Sequence, residues 1–271
     1  MPTITEFLSV VERLWPSAGA ESWDAPGLVT GDPEASVSRV LLTVDAVADT
    51  VGEAVDGGFD LMLAHHPLLL RGVTTVAEDR YKGALLARLI RAGCALVTAH
   101  TNADVVPDGV SDVFASRLGL RDARPLVPGA DPRSGLGRVG RLDEPTTLGQ
   151  LARTLADLLP PTATGIRVAG EYARPVTTVA LCGGAGDAFL GEEAVRRADV
   201  YITSDLRHHP ASEAVEQARV SSGPALIDVS HWAAEWLWLD TAAGQLRTAV
   251  PGLEVVVSEV RTDPWDFVVM Q

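Results

Sequence analysis

The sequence predicts an α/β protein made of two similar halves with mostly parallel sheets, and a metal site in the crevice between them. Three observations carry this expectation. Strand-length apolar runs alternate with helix-period segments, the alternation occurs twice, and each round ends on histidines and acids where a strand stops. Open α/β sheets bind their ligands at such strand ends.

The first series begins with residues 40–44, a run apolar enough for a strand buried on both faces. Residues 47–56 follow at helical period, 61–64 as a short apolar strand, 84–92 as a helix and 95–99 as a third strand. Residues 126–140, rich in Pro, Gly and Arg, read as a loop or domain junction rather than a packed element. A boundary near Val127 therefore divides an N-terminal half, 1–127, from a C-terminal half, 128–271. Beyond it, 147–159 reads as a helix and 165–169 as extended chain. A second series then runs through 176–181 (strand), 192–198 (helix), 200–203 (strand), 211–219 (helix) and 225–229 (strand).

Composition narrows the classes of function. With 271 residues and 46% hydrophobic content, the chain can bury one large core or two smaller ones. Its first fourteen residues carry acids without a basic lead, and no apolar run approaches the ~18 residues of a membrane span. A soluble, cytoplasmic protein with no membrane partner is expected. A formal charge of -14 opposes the capture of phosphate backbones, so nucleic-acid binding is not expected. Lys82 is the only lysine and lies outside any G-x-x-x-x-G-K-[ST] loop, which excludes P-loop chemistry. Cys94 and Cys182, each inside an apolar run, read as buried free thiols rather than a disulfide or a zinc site.

The six histidines of the chain fall into a repeated order. The first series carries His65-His66, then His100 with Asp104 four residues later. The second carries His208-His209, then His231 with Glu235 four residues later. Imidazole nitrogens and carboxylate oxygens hold Zn, Fe or Mn, and two neighbouring metals need a carboxylate to share charge. His65 and His66 precede Pro67 at a strand end, so either each serves one metal or one ligates while the other packs. Asp104 lies on the loop after the third strand. His231 and Glu235 share one face of a helix that Ser230 is placed to cap. The apolar run Trp236-Leu237-Trp238-Leu239 argues that this helix is buried, and a buried carboxylate needs a partner. The metal-ligand candidates are thus His65, His66, Asp104, His231 and Glu235, and the candidates for proton transfer are His209, Asp205 and His100.

Weaker signals have two readings each. The run Cys182-Gly183-Gly184-Ala185-Gly186-Asp187 is an anion cradle or a tight turn. Asp45 orients a ligand or caps the next helix. Trp232, Trp236 and Trp238 read as core or subunit contact rather than a base-stacking platform.

Taken in order, these motifs resemble the Nif-three-like dinuclear metal centre family, also described as GTP cyclohydrolase I type 2 homologues. The resemblance covers nearly the whole chain. It rests on Ser22-Trp23-Asp24, Gly27-Leu28, Gly31-Asp32-Pro33, His65-His66-Pro67 and His100-Thr101-Asn102-Ala103-Asp104 with Gly109-Val110 and Asp112. It continues through Cys182-Gly183-Gly184, Thr203-Ser204-Asp205, His209, Asp228 and the His231 to Glu235 pair. The resemblance implies that His65, His66, Asp104, His231 and Glu235 hold two divalent metals per subunit, with two α/β halves and a toroidal homohexamer. It departs from the family pattern at Ala25, Ser204, Ser230 and Ala234, which touches substrate contacts and leaves the five ligands intact. The expected function is metal-dependent hydrolysis of a small-molecule nucleotide, phosphoester or cyclic amide. The alternative is a non-catalytic metal-binding or regulatory ring.

Overall fold

The computed structural model describes residues 1–129 and 131–270. The chain forms two compact units, one of Met1–Ala103 with Leu239–Thr262, the other of Asp104–Trp238 with the segment from Asp263 onward. Among the described residues, no helix is long and apolar enough to cross a membrane.

The first unit opens on the helix Ile4–Leu14, started by a capping box in which Thr3 and Glu6 satisfy each other's backbone amides. Ile4, Phe7, Val10 and Val11 form its buried stripe. The sheet of this unit has five strands in the order Gly27–Thr30, Ala95–Thr98, Leu61–Ala64, Arg39–Thr43, Glu254–Val257, all parallel to their neighbours except the first. Val40, Leu42, Leu61, Leu63 and Val97 as well as Leu41, Met62 and Leu96 are wholly buried, which explains why these strands read as continuous apolar runs. Each such side chain contributes roughly 1.5–3 kcal/mol on leaving water. The helices Ala48–Asp56 and Tyr81–Ala92 pack Val51, Ala54, Leu85, Leu86 and Leu89 into one apolar cluster with Leu41, Met62 and Leu96. Gly93 stops the second of these helices in the left-handed region, at φ 70°. In register, Thr43 lies opposite Ala64 and Ala64 opposite Thr98, so the residues after these three strands leave the sheet at one edge.

The second unit has six strands in the order Arg121–Arg124, Arg138–Thr147, Pro175–Ala185, Val200–Ser204, Ala225–Val229, Arg167–Ala169. Its three consecutive long inner strands from Pro175 to Val229 are parallel, flanked on both sides by antiparallel ones. The helix Leu148–Leu158 starts with a second capping box, from Thr147 and Gln150. Taken separately, the two sheets share a motif: three parallel strands in chain order with an antiparallel strand beyond the third. The internal repeat read from the sequence therefore survives at the level of strand order.

One sequence expectation is corrected. Residues 126–140 are not simply a junction. They contain a small hairpin, Val127–Pro128 with Gly135–Leu136, and the start of a ten-residue strand, Arg138–Thr147. Residue 130, in the same stretch, lies outside the described residues. The Arg-rich composition misleads because Arg138 points inward. Its side chain is 1% exposed, and its guanidinium donates to Asp112 Oδ1 at 2.8 Å and to the carbonyls of Gly135 and Gly137 at 2.7 Å. A buried guanidinium fully supplied with acceptors belongs to a packed element. The strand Glu254–Val257, which had no place in the sequence reading, joins the first sheet from the far end of the chain.

Candidate metal centre

In the first unit, His65 and His66 follow the strand Leu61–Ala64 directly, and their amides bond to the carbonyls of Thr43 and Val44 at 2.9 and 2.8 Å. His65 is buried and its Nδ1 lies 2.8 Å from the carbonyl oxygen of Ala99. A carbonyl only accepts, so Nδ1 carries the proton and Nε2 the lone pair. His66 Nδ1 lies 2.8 Å from Asp45 Oδ1, which assigns its tautomer in the same way. Asp45 therefore orients the His66 ring; the amino cap of the helix Ala48–Asp56 is Val47. The hydroxyl of Thr262 donates to the other oxygen of Asp45.

His100 joins these two. Its ring centroid is 5.3 Å from that of His65 and 5.6 Å from that of His66, and ligand atoms of the three imidazoles lie within 4.8 Å of one another. Asp24 holds His100 Nδ1 at 3.0 Å and accepts from the amide and hydroxyl of Thr101 at 3.1 and 2.5 Å. Burial, and then the neighbouring His65, push the His100 imidazole down to about 4, with Asp24 acting in the opposite sense. Asn102 ties the loop down, accepting from the His100 amide and donating to the Trp15 carbonyl. Asp24 had no assigned role in the sequence reading. No periodicity marks it; its signals are its place in the Ser22-Trp23-Asp24 motif of the family resemblance and a Pro-Gly turn just after it.

In the second unit, the helix His231–Ala249 begins where expected, with the Ser230 hydroxyl accepting from the Ala233 amide at 3.3 Å. One helical turn brings His231 Nε2 to 2.9 Å from Glu235 Oε1, and Glu235 is 3% exposed. Asp205 Oδ2 lies 2.7 Å from His231 Nδ1. Burial disfavours charge on His231, but the Glu235 and Asp205 carboxylates outweigh it and hold the imidazole well above its ordinary value. Trp238 and Leu239, further along the helix, are wholly buried.

The glycine run is explained by crowding. Pro175–Ala185 is a strand, and at Gly184, where φ is +83°, a Cβ would stand 2.6 Å from Glu235 Oε1 and 3.2 Å from His231 Nε2. Only a glycine lets this backbone approach the pair so closely. Asp104 ends the short helix Thr101–Asp104. Its carboxylate and that of Glu235 both act on Cys182, whose thiol is pushed far up, first by burial.

His208 and His209 open the helix His208–Val220 on an exposed turn, ring against ring at 5.2 Å. They do not sit directly after their strand as His65 and His66 do; that position is held by Asp205.

Cys94 is raised to about 11, chiefly by burial and then by the Asp60 carboxylate. Since the thiolate is the reactive form, neither cysteine should react with iodoacetamide near pH ~8 in the folded protein, while both should react in denaturant. Mass spectrometry of the alkylated chain checks this, and rapid native labelling of either thiol would contradict it.

The donor chemistry fits a divalent metal. His65, His66 and His231 each have Nδ1 held by an oxygen acceptor, an arrangement that fixes ring orientation in metal-ligating histidines; in His65 and His66 it makes Nε2 the nitrogen a metal would take, whereas His231 Nε2 faces Glu235 Oε1 at 2.9 Å. Buried Glu235 adds an oxygen donor.

Comparison with known proteins agrees with the sequence reading. The family Duf34/NIF3 (NGG1p interacting factor 3) matches residues 2–264. A Streptomyces coelicolor protein named GTP cyclohydrolase 1 type 2 homolog is 48% identical, over 98% of this chain and 94% of that one. A Mycobacterium bovis protein of the same name is 34% identical over 97% of each. That alignment runs over 372 positions against 271 residues here, so the mycobacterial relative has segments without a counterpart in this chain. A solved Bacillus cereus protein related to NIF3 shares the fold, with a TM-score of 0.88 at 23% identity, covering 98% of this chain and 99% of that one. The chain belongs to the Duf34/NIF3 family.

Proposed function

We propose, with membership of the Duf34/NIF3 family as premise, that the protein is a dinuclear metal-dependent hydrolase of a nucleotide, phosphoester or cyclic amide. In this reading His65, His66, Asp104, His231 and Glu235 hold two divalent ions such as Zn, Fe or Mn. The observation that supports it best is the shared support of three imidazoles by Ala99, Asp45 and Asp205. Bound divalent metals supply Lewis acidity and bring the ionisation of coordinated water toward neutral pH. The relatives' name, GTP cyclohydrolase 1 type 2 homolog, puts guanine nucleotides among the candidate substrates. The same reading has the protein working in the cytoplasm as a homo-oligomer, the toroidal hexamer that the family resemblance implies.

The chain's own residues have distinct tasks. Asp45 and Asp205 hold two imidazoles in place. The acids Asp104 and Glu235 would balance metal charge, Glu235 from a buried position. Of the three groups nominated for proton transfer, Asp205 is engaged with His231, and His100 packs against both His65 and His66 with Asp24 3.0 Å from its Nδ1. We assign proton transfer to His100, with His209 as the second candidate.

The test is a hydrolase screen of metal-loaded protein with nucleotides, aryl phosphoesters and dihydropyrimidine amides. Wild type should hydrolyse at least one class faster than its Asp104→Ala variant. His100→Gln should lower kcat about 100-fold while leaving metal content unchanged. No turnover above Asp104→Ala in any class would instead favour a metal-binding or regulatory ring without catalysis. Loss of activity in His209→Ala but not in His100→Gln would move the proton-transfer role to His209.

A further inference from the structure

The residue that holds His231 is itself held from further out. Asp205 follows the strand Val200–Ser204 with φ +59°, a left-handed conformation that a non-glycine residue keeps only when its surroundings impose it. The next residue supplies the restraint: the amide of Leu206 donates to Asp228 Oδ1 at 3.0 Å. Asp228 lies in the neighbouring strand, is 8% exposed, and accepts at its other oxygen from the guanidinium of Arg167. Arg167 is the register partner of Asp228 on the antiparallel edge strand Arg167–Ala169. A carboxylate buried this deeply needs its charge compensated, and both of its oxygens are engaged.

The geometry points to Asp228 and Arg167 as positioning residues for the His231 ligand: they pin Leu206, and thereby Asp205, so that the Asp205 carboxylate meets His231 Nδ1. The line of contacts runs without a break from Arg167 to Asp228, to the Leu206 amide, to Asp205 and to His231. Arg167 itself is solvent-facing, its side chain 64% exposed, so its contribution comes through this one carboxylate. Asp228 does not touch the ligand nitrogen. It works by narrowing the orientations that Asp205 can offer, and outer partners of metal-ligating histidines commonly change metal affinity by about 10–100-fold.

This inference rests on the metal reading above, and two measurements keep the two separable. The first is Zn2+ affinity of the full chain by chelator competition. The second, on metal-free protein, is the downfield proton signal of His231 Nδ1–H, visible while the bond to Asp205 is ordered. Asp228→Ala should weaken Zn2+ binding about tenfold and broaden or abolish the signal. Asp228→Asn keeps an acceptor for the Leu206 amide and should recover most of both. Arg167→Ala, a surface change that leaves folding intact, should shift both readouts in the same direction as Asp228→Ala by a smaller amount. Wild-type Zn2+ affinity and an unchanged proton signal in both Ala variants would overturn the proposal. If wild type binds none of Zn2+, Fe2+ and Mn2+, the metal reading fails. The proton signal then decides the positioning role alone: its loss in the Ala variants supports the role, and its persistence refutes it.

Discussion

Gly184→Val should lower Zn2+ affinity about 100-fold, at the upper end of what disturbing the support of a metal ligand costs. Two effects combine. The backbone at Gly184 has φ +83°, where a β-branched residue is strained before any contact is considered. The first side-chain carbon would then stand 2.6 Å from Glu235 Oε1 and 3.2 Å from His231 Nε2, so the donors or the strand must shift. Glu235 has little room to move because it is buried on a helix whose following turns carry the buried Trp238 and Leu239. Gly184→Ala meets the same contact with less bulk and should fall between wild type and Gly184→Val. Chelator competition gives the affinities, and far-UV circular dichroism of the metal-free variants separates a displaced site from a lost fold. A folded Gly184→Val protein with wild-type affinity would show that His231 and Glu235 do not bind metal in this arrangement.

Much of the fold was legible because its inner strands are buried on both faces. Residues 40–44, 61–64 and 95–99 are apolar without alternation, and their termini are cut by an acid, by His-His-Pro and by His-Thr-Asn. The helix at Thr147 could be read from its capping residue and period, and the start at Ser230 from the hydroxyl that does cap it. Several elements were not read from the sequence, among them the helices Ile4–Leu14 and Val110–Arg117 and the strand Gly27–Thr30, and two others show why. Arg138–Thr147 looks like a loop because its buried Arg138 is polar in sequence and becomes compatible with a core only through Asp112 and two carbonyls brought there by folding. Glu254–Val257 pairs with Arg39–Thr43, a partner more than 200 residues away, and local pattern says nothing of such pairing.

At the candidate site, the clustered residue types and spacings were legible, and the groups that support them largely were not. His65-His66 and the His231 to Glu235 pair announce themselves through adjacency and a one-turn spacing. Asp24 acquires its meaning only when a strand order brings it to His100, and Asp228 only when Leu206 is seen to bond to it. Asp45 had two readings, and the 2.8 Å bond to His66 selects the orienting one. The repeated His-His marker was half right. In the first series it follows the strand directly, whereas in the second the equivalent position is Asp205, and His208-His209 fall on the exposed start of a helix. A four-strand motif is shared between the two sheets, while the placement of the histidines has diverged.

The most direct test of the account is the metal content of protein purified without added metal, measured by elemental analysis for wild type and His66→Ala in parallel. His66 is chosen because its ring is fixed by Asp45 through Nδ1, which makes Nε2 the nitrogen that a metal would take in this reading. About two equivalents of divalent metal per chain are expected in wild type, with a clear fall in the variant. Wild-type protein that is purified without metal and then takes up none of zinc, iron or manganese when each is supplied would contradict this expectation.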